Sequence, residues 1–234
     1  MPEGEHMGPQ HDEAADLHVY LRPTYYLDAD HAAIRAFAEQ AAAEAADATA
    51  KAVRLYYAVR DGLLYDPYSI DYRPEACKAS AVLARGRGYC VAKACVLAAA
   101  SRAVGIPTRL GFADVRNHLA TERLRRLMGT DIFYYHGYTE FYLDGKWVKA
   151  TPAFNIELCR KFGVLPLEFD GRSDSLFHPF DAQNRRHMEY INDRGHRADL
   201  PYDEIREAMF RYYPGGAEAA GTGDFDAEAE AENQ

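Results

Sequence analysis

Nowhere in the 234 residues does an apolar run approach the ~20 residues that a bilayer-spanning helix requires, so a helical membrane span is not expected. Cysteine is scarce. The four are Cys77, Cys90, Cys95 and Cys159, and no two form a CxxC pair. Cys90 and Cys95 would stand about 140° apart round a helix, which is poor geometry for a shared metal. The opening stretch MPEGEHMGPQHDEAAD is polar and acidic, unlike a signal or transit peptide, so free thiols in a cytoplasmic protein are expected. Neither a Walker loop nor a dinucleotide glycine pattern occurs, and no cofactor is expected. Positive charge is also in short supply: 27 Lys and Arg stand against 36 Asp and Glu. A basic face for nucleic acid or a polybasic membrane anchor is therefore not expected. The net charge of −9 is uneven, because residues 215–234 hold six acids and no base. The body without them is close to −3, so the acidity says little about the folded domain.

What is present is 48% hydrophobic residues with 12% aromatics, enough for one core. The chain divides into a loose tail (1–18), one domain (19–214, with 156–214 as a C-terminal extension) and an acidic tail (215–234) too poor in apolar residues to pack. Helices are predicted over 32–46, capped by Asp28 or Asp30, and over 49–60, where Ala52, Leu55, Tyr56 and Val59 make one stripe. A prolyl-aromatic connector (65–75) leads to a short helix over 76–83. The turn Gly86-Arg87-Gly88 then delivers Cys90 to the start of a helix over 90–103, stopped by Gly105 and Pro107. A strand is predicted over 108–112, a basic helical or irregular insertion over 116–130, a strand over 164–171 and a helix over 203–213. Residues 174–192 read as mixed, with a hairpin as the alternative.

The strongest β signal is IFYYHGYTEFYLDGKWVKATPAF, two aromatic-rich runs flanking Asp144-Gly145. A two-residue turn there sets Leu143 against Lys146, Tyr142 against Trp147 and Glu140 against Lys149. The last two are sensible aromatic and charge pairs. Continued, the register sets Tyr138 against Thr151 and His136 against Ala153, making Thr151 a diagonal neighbour of His136. A group that orients the imidazole would sit at 151.

The chemistry centres on Cys90. Unpaired N–H groups at a helix N-terminus favour an anion and lower a thiol pKa, and an imidazolium lowers it further. Cys90 in GYC, followed by GIPTRLG and HGYTEFYLDGKWVKATP, resembles the transglutaminase-like core, a papain-like thiol-enzyme superfamily. The upstream AVRLYYAVRDGLLYD is similar to the helix before that family's cysteine. The resemblance spans roughly 50–155. It implies an α+β fold in which a cysteine-bearing helix packs on an antiparallel sheet. It also implies Cys90 as nucleophile and His136 as general base in acyl transfer from a peptide or protein substrate, through a thioester. The family's aspartate falls where this chain has Thr151. Thr151, or Asn155 four residues on, is the candidate for orienting the ring. Tyr72, Tyr89, Tyr134 and Tyr135 are expected to wall the cleft.

Other clusters read as structural. His178, His187 and His196, even with Asp181 or Asp193, have spacings that fit no compact zinc motif. The acids from Asp224 to Glu232 lack the spacing of a calcium loop. No internal repeat is evident.

Overall fold

The computed structural model describes residues 17–117, 120–176, 188–213, 215 and 223–232. Helix α1 (Ala32–Ala41) buries Ile34 and Ala38. Its cap is the His31 ring, which accepts the Ala33 N–H at 3.2 Å. Neither predicted cap, Asp28 or Asp30, takes that place; Asp28 instead accepts the Ser80 N–H at 3.0 Å and hydroxyl at 2.5 Å. Helix α2 (Ala48–Gly62) starts at Asp47, whose carboxylate accepts the Ala50 N–H, and buries the predicted stripe at Ala52, Leu55, Tyr56 and Val59.

The chain then makes a short strand β1 (Leu64–Tyr65), a 3-10 turn (Pro74–Cys77), helix α3 (Ala79–Arg85) and a second short strand β2 (Arg87–Gly88). Gly86 ends α3 in the left-handed region, at φ 69°, where a side chain would be strained. β1 and β2 pair in parallel, Tyr65 opposite Gly88, which sets Tyr65 beside the entrance to the next helix.

That helix, α4 (Cys90–Ala103), is buried at every residue from Cys90 to Arg102. The sequence expects one small-residue face against a sheet. The structure surrounds the helix, as suits a segment built of alanine, valine and leucine on all sides. Its two charges are satisfied by backbone. The Arg102 guanidinium donates to the carbonyls of Thr108, Arg22 and Ala198. The Lys93 ammonium donates to three others, described below.

Strands β3 (Thr108–Asn117), β4 (Ile132–Leu143), β5 (Lys146–Ala150) and β6 (Met188–Arg197) form an antiparallel sheet in the order β5-β4-β3-β6. Helix α5 (Glu122–Met128) links β3 to β4. The hairpin has the predicted register, Leu143 to Lys146, Tyr142 to Trp147 and Glu140 to Lys149. Asp144 and Gly145 both take positive φ, as a two-residue turn of this kind demands. Pairing stops at Thr139 with Ala150. Pro152 has no N–H to extend the ladder, and the Thr151 N–H donates to the Ser175 carbonyl instead. The continued register at Tyr138 and His136 is therefore not formed.

Helices α6 (Ile156–Lys161) and α7 (Tyr202–Tyr212) belong to the extension. Three further expectations are corrected. Residues 164–171 form no strand; the Leu167 carbonyl accepts the Tyr56 hydroxyl and an Arg60 N–H, so side chains satisfy this backbone. Where the sequence leaves a hairpin as the alternative over 174–192, the described residues give the single edge strand β6, which bulges at Arg194-Gly195. Within the acidic tail, helix α8 (Phe225–Glu232) is ordered against the body. Phe225 packs on Tyr65, Tyr68 and Phe162. Asp226 pairs with Lys161, and Glu228 with Arg123. One aromatic anchor and two cations on the body supply what its composition lacks.

Candidate active site

Cys90 is the first residue of α4, and His136 lies in β4. Both line one cavity of about 70 Å³, and both are at least 95% buried. The strand meets the helix at Gly137. A Cβ there would stand 2.9 Å from the Val91 Cα, so only glycine lets β4 approach the first turn of α4 this closely. The Thr139 hydroxyl, two residues on, donates to the Ala94 carbonyl at 3.0 Å and pins the same contact. Gly137→Ala is expected to cost about 1–3 kcal/mol by forcing strand and helix apart, read as a lowered urea midpoint, and to change the accessibility of Cys90.

A bulge aims His136. Ala113 pairs with His136 and Val115 with Phe133, leaving Tyr134 and Tyr135 opposite Asp114 alone. Tyr135 takes φ 55°, uncommon for an aromatic residue. The buried Asp114 carboxylate holds it there by accepting the Tyr135 N–H at 3.1 Å. Asp114 is held in turn by Arg194 at 2.7 Å, whose guanidinium lies over the Tyr135 ring. Tyr213 steadies the other side of the bulge: its hydroxyl accepts the Tyr134 N–H at 2.6 Å and donates to the Ile132 carbonyl.

Electrostatically the site opposes charge. Burial pushes the Cys90 thiol up to about 11, although the backbone N–H groups of Gly137, Val91 and Cys90 favour the thiolate. Burial pulls His136 down to about 4. The expected thiolate–imidazolium pair is therefore disfavoured at rest, because desolvation outweighs the helix terminus. An ion pair formed here would need the mutual attraction of sulfur and ring to offset the loss of water.

Of the predicted wall residues, Tyr72, Tyr89 and Tyr134 line the cavity. Tyr135 does not; it lies against Phe112 and beside Arg194, Glu204 and Arg211. The Asn155 Oδ1 accepts the Tyr65 N–H at 3.1 Å, so it positions β1 rather than the imidazole. The Thr151 hydroxyl is buried and makes no hydrogen bond among the described residues. Thr151→Val is accordingly expected to leave stability unchanged or raise it by about 1 kcal/mol, since a buried hydroxyl without a partner carries a desolvation cost. A marked loss of stability in a thermal melt would show a hidden partner.

Sequence reasoning missed Asp114, Tyr213 and Lys93. The Lys93 Nζ donates to the carbonyls of Arg60, Leu63 and Ala153 at 2.7–2.8 Å. It lies one turn after Cys90 and ties the C-terminal end of α2 to the chain that follows β5. The extension, whose sequence leaves open a lid over the cleft or a lateral addition to the sheet, brings Met209 of α7 to the cavity. His196 lies on β6 opposite Gly111. His178, His187 and Asp181 fall outside the described residues. Among the described residues no helix is long and apolar enough to cross a membrane.

A cysteine at the start of a buried helix, packed under an antiparallel sheet that carries a histidine, defines an α+β fold of the papain and transglutaminase type. The transglutaminase-like superfamily matches residues 35–152, just over half of the chain, and the chain belongs to that superfamily. Two solved structures are similar to it. One is a candidate cysteine protease from Cytophaga hutchinsonii, at 17% identity and a TM-score of 0.46, covering 78% of this chain and 54% of that one. The other is a candidate protease from Parabacteroides distasonis, at 15% identity and a TM-score of 0.36, covering 66% of this chain and 35% of that one. The chain thus spans about half, and about a third, of their lengths. No curated protein matches it.

Proposed function

We propose that the chain is a cysteine-dependent acyl-transfer enzyme acting on an amide or peptide bond of a peptide or protein substrate. The observation that carries this reading is the convergence of Cys90, at a helix N-terminus with backbone N–H groups facing its sulfur, and His136 on one cavity. With substrate in place, His136 takes the thiol proton as sulfur attacks the carbonyl. The Cys90 N–H steadies the oxyanion, and the imidazolium protonates the leaving amine. The thioester then passes its acyl group to water or to an amine. Thr151 keeps a place in this proposal only as a group to which the ring turns once substrate is bound: Asn155 is engaged by Tyr65, and in the resting fold the Thr151 hydroxyl bonds nothing among the described residues. All four cysteines are free, which accords with work in the reducing cytoplasm.

A second reading is favoured by the same threonine and by the burial that keeps both reacting groups neutral: a domain that has lost its chemistry and binds a peptide or partner protein. Mass spectrometry after incubation with an activated ester separates the two. The enzyme reading expects a single acyl adduct on Cys90, absent in Cys90→Ala and formed at least about 100-fold more slowly in His136→Ala, the usual scale of general-base catalysis. Equal labelling of Cys90 with and without His136 would leave only the binding reading.

A further inference from the structure

We propose that the cavity in front of Cys90 houses the acyl group of the substrate and selects an uncharged, apolar one, the size of a single ring or a short chain. This rests on the acyl-transfer reading and names the substrate class for that site. After attack, the acyl group is the part of the substrate that stays bonded to sulfur, so the space round the sulfur must receive it. That space is about 70 Å³. Apart from Cys90 and His136, every side chain among the described residues that faces it is tyrosine, phenylalanine, leucine, isoleucine, methionine or proline. None carries a formal charge at neutral pH.

Charges that touch the wall at Tyr68 are engaged behind it. Glu228 accepts the Tyr68 hydroxyl at 2.7 Å and pairs with Arg123 at 2.9 Å, so the Tyr68 hydroxyl is directed at α8. The Tyr213 hydroxyl is likewise bonded to backbone. A carboxylate or ammonium entering this space would lose its water and meet no countercharge among the described lining residues, whereas a ring or methylene chain gains by burial. Met128 at the end of α5 and Met209 on α7 bring unbranched side chains to the cavity, which can adjust to the shape of the group.

Two esters sharing one leaving group test this: 4-nitrophenyl phenylacetate and 4-nitrophenyl monosuccinate, each rate divided by that ester's rate with free N-acetylcysteine. In each turnover the Cys90 sulfur displaces nitrophenoxide, which departs with the thiol proton as nitrophenol. Water then cleaves the thioester, releasing the carboxylic acid and restoring the thiol. The expected result is a normalised kcat/KM at least tenfold higher for the phenylacetyl ester. Met128→Lys, nearly isosteric, is expected to cut that ratio at least tenfold by raising the succinyl rate; a merely structural role would slow both esters alike. Met209→Lys is the second variant, and the wild-type ratio decides alone if neither folds. Cys90-dependent release with no preference, or with a succinyl preference, overturns the proposal while leaving acyl transfer standing. Release unchanged in Cys90→Ala, with no adduct on Cys90, overturns the acyl-transfer reading and the proposal with it.

Discussion

Replacing Lys93 with methionine is expected to lower stability by about 3–5 kcal/mol, the scale seen when one partner of a buried charged contact is removed, and Tm by roughly 10 °C. The reason lies in the acceptors. The Arg60 and Leu63 carbonyls stand at the end of α2, where helical carbonyls lack intrahelical partners and carry the negative end of the dipole. The third acceptor, Ala153, follows Pro152 at the end of the sheet pairing. All three groups are buried round an ammonium with no exposure to solvent. Burial pulls that ammonium down to about 7, opposed by the charge of the Asp61 carboxylate, and the three carbonyl acceptors also suit a protonated donor. Methionine fills the volume but leaves three carbonyls dry, each costing about 1–3 kcal/mol, partly offset because no charge is then buried. Urea titration at pH 7 measures the loss. A change under about 1 kcal/mol would mean that water replaces the ammonium, and that Lys93 does not hold α2 to the active-site helix.

The second large effect is acid sensitivity through His136. In the unfolded chain the imidazole gains its proton as pH falls through 6.5, whereas burial holds the folded ring neutral down to about 4. Between those values the unfolded state binds more protons, so stability is full above pH 6.5 and falls as pH drops toward 4, by about 3 kcal/mol. Carboxylates titrate in the same range. The measurement is therefore a difference: urea midpoints of the wild type and of His136→Gln at pH 7, 5.5 and 4. The wild type is expected to lose about 3 kcal/mol more than the variant across that span. Parallel curves would show that burial does not lower the ring's pKa, and a wild type that gains on the variant between pH 7 and 5.5 would show a raised one, as in a resting ion pair with Cys90.

The local rules that made the hairpin legible also show where legibility ended. Asp144-Gly145 demands a two-residue turn, and the turn together with the Glu140–Lys149 pair dictates the register as far as Ala150. Beyond it, Pro152 removes a donor and Ser175, arriving from a distant loop, takes the Thr151 N–H. The pairing that would have made Thr151 a diagonal neighbour of His136 therefore does not form. Lys93 was invisible for a similar reason. A lysine in CVAKAC carries no local sign of burial, and its partners come from residues 60, 63 and 153. The bulge at Tyr135 depends on a carboxylate from the neighbouring strand. The order of α8 depends on Tyr65, Tyr68, Phe162, Lys161 and Arg123, none of them close in sequence.

By itself the sequence determined the family, the helix that begins at Cys90, the strand that carries His136 and the turn between β4 and β5. Each is written in short motifs whose φ/ψ demands, caps and periodicity act over a few residues. Tertiary structure alone decided the charge state of the two reacting groups, which side chains face them and what the cavity can hold. Desolvation and hydrogen-bond satisfaction depend on atoms brought together from across the chain, and a linear order of residues does not reveal which carbonyl or carboxylate will arrive.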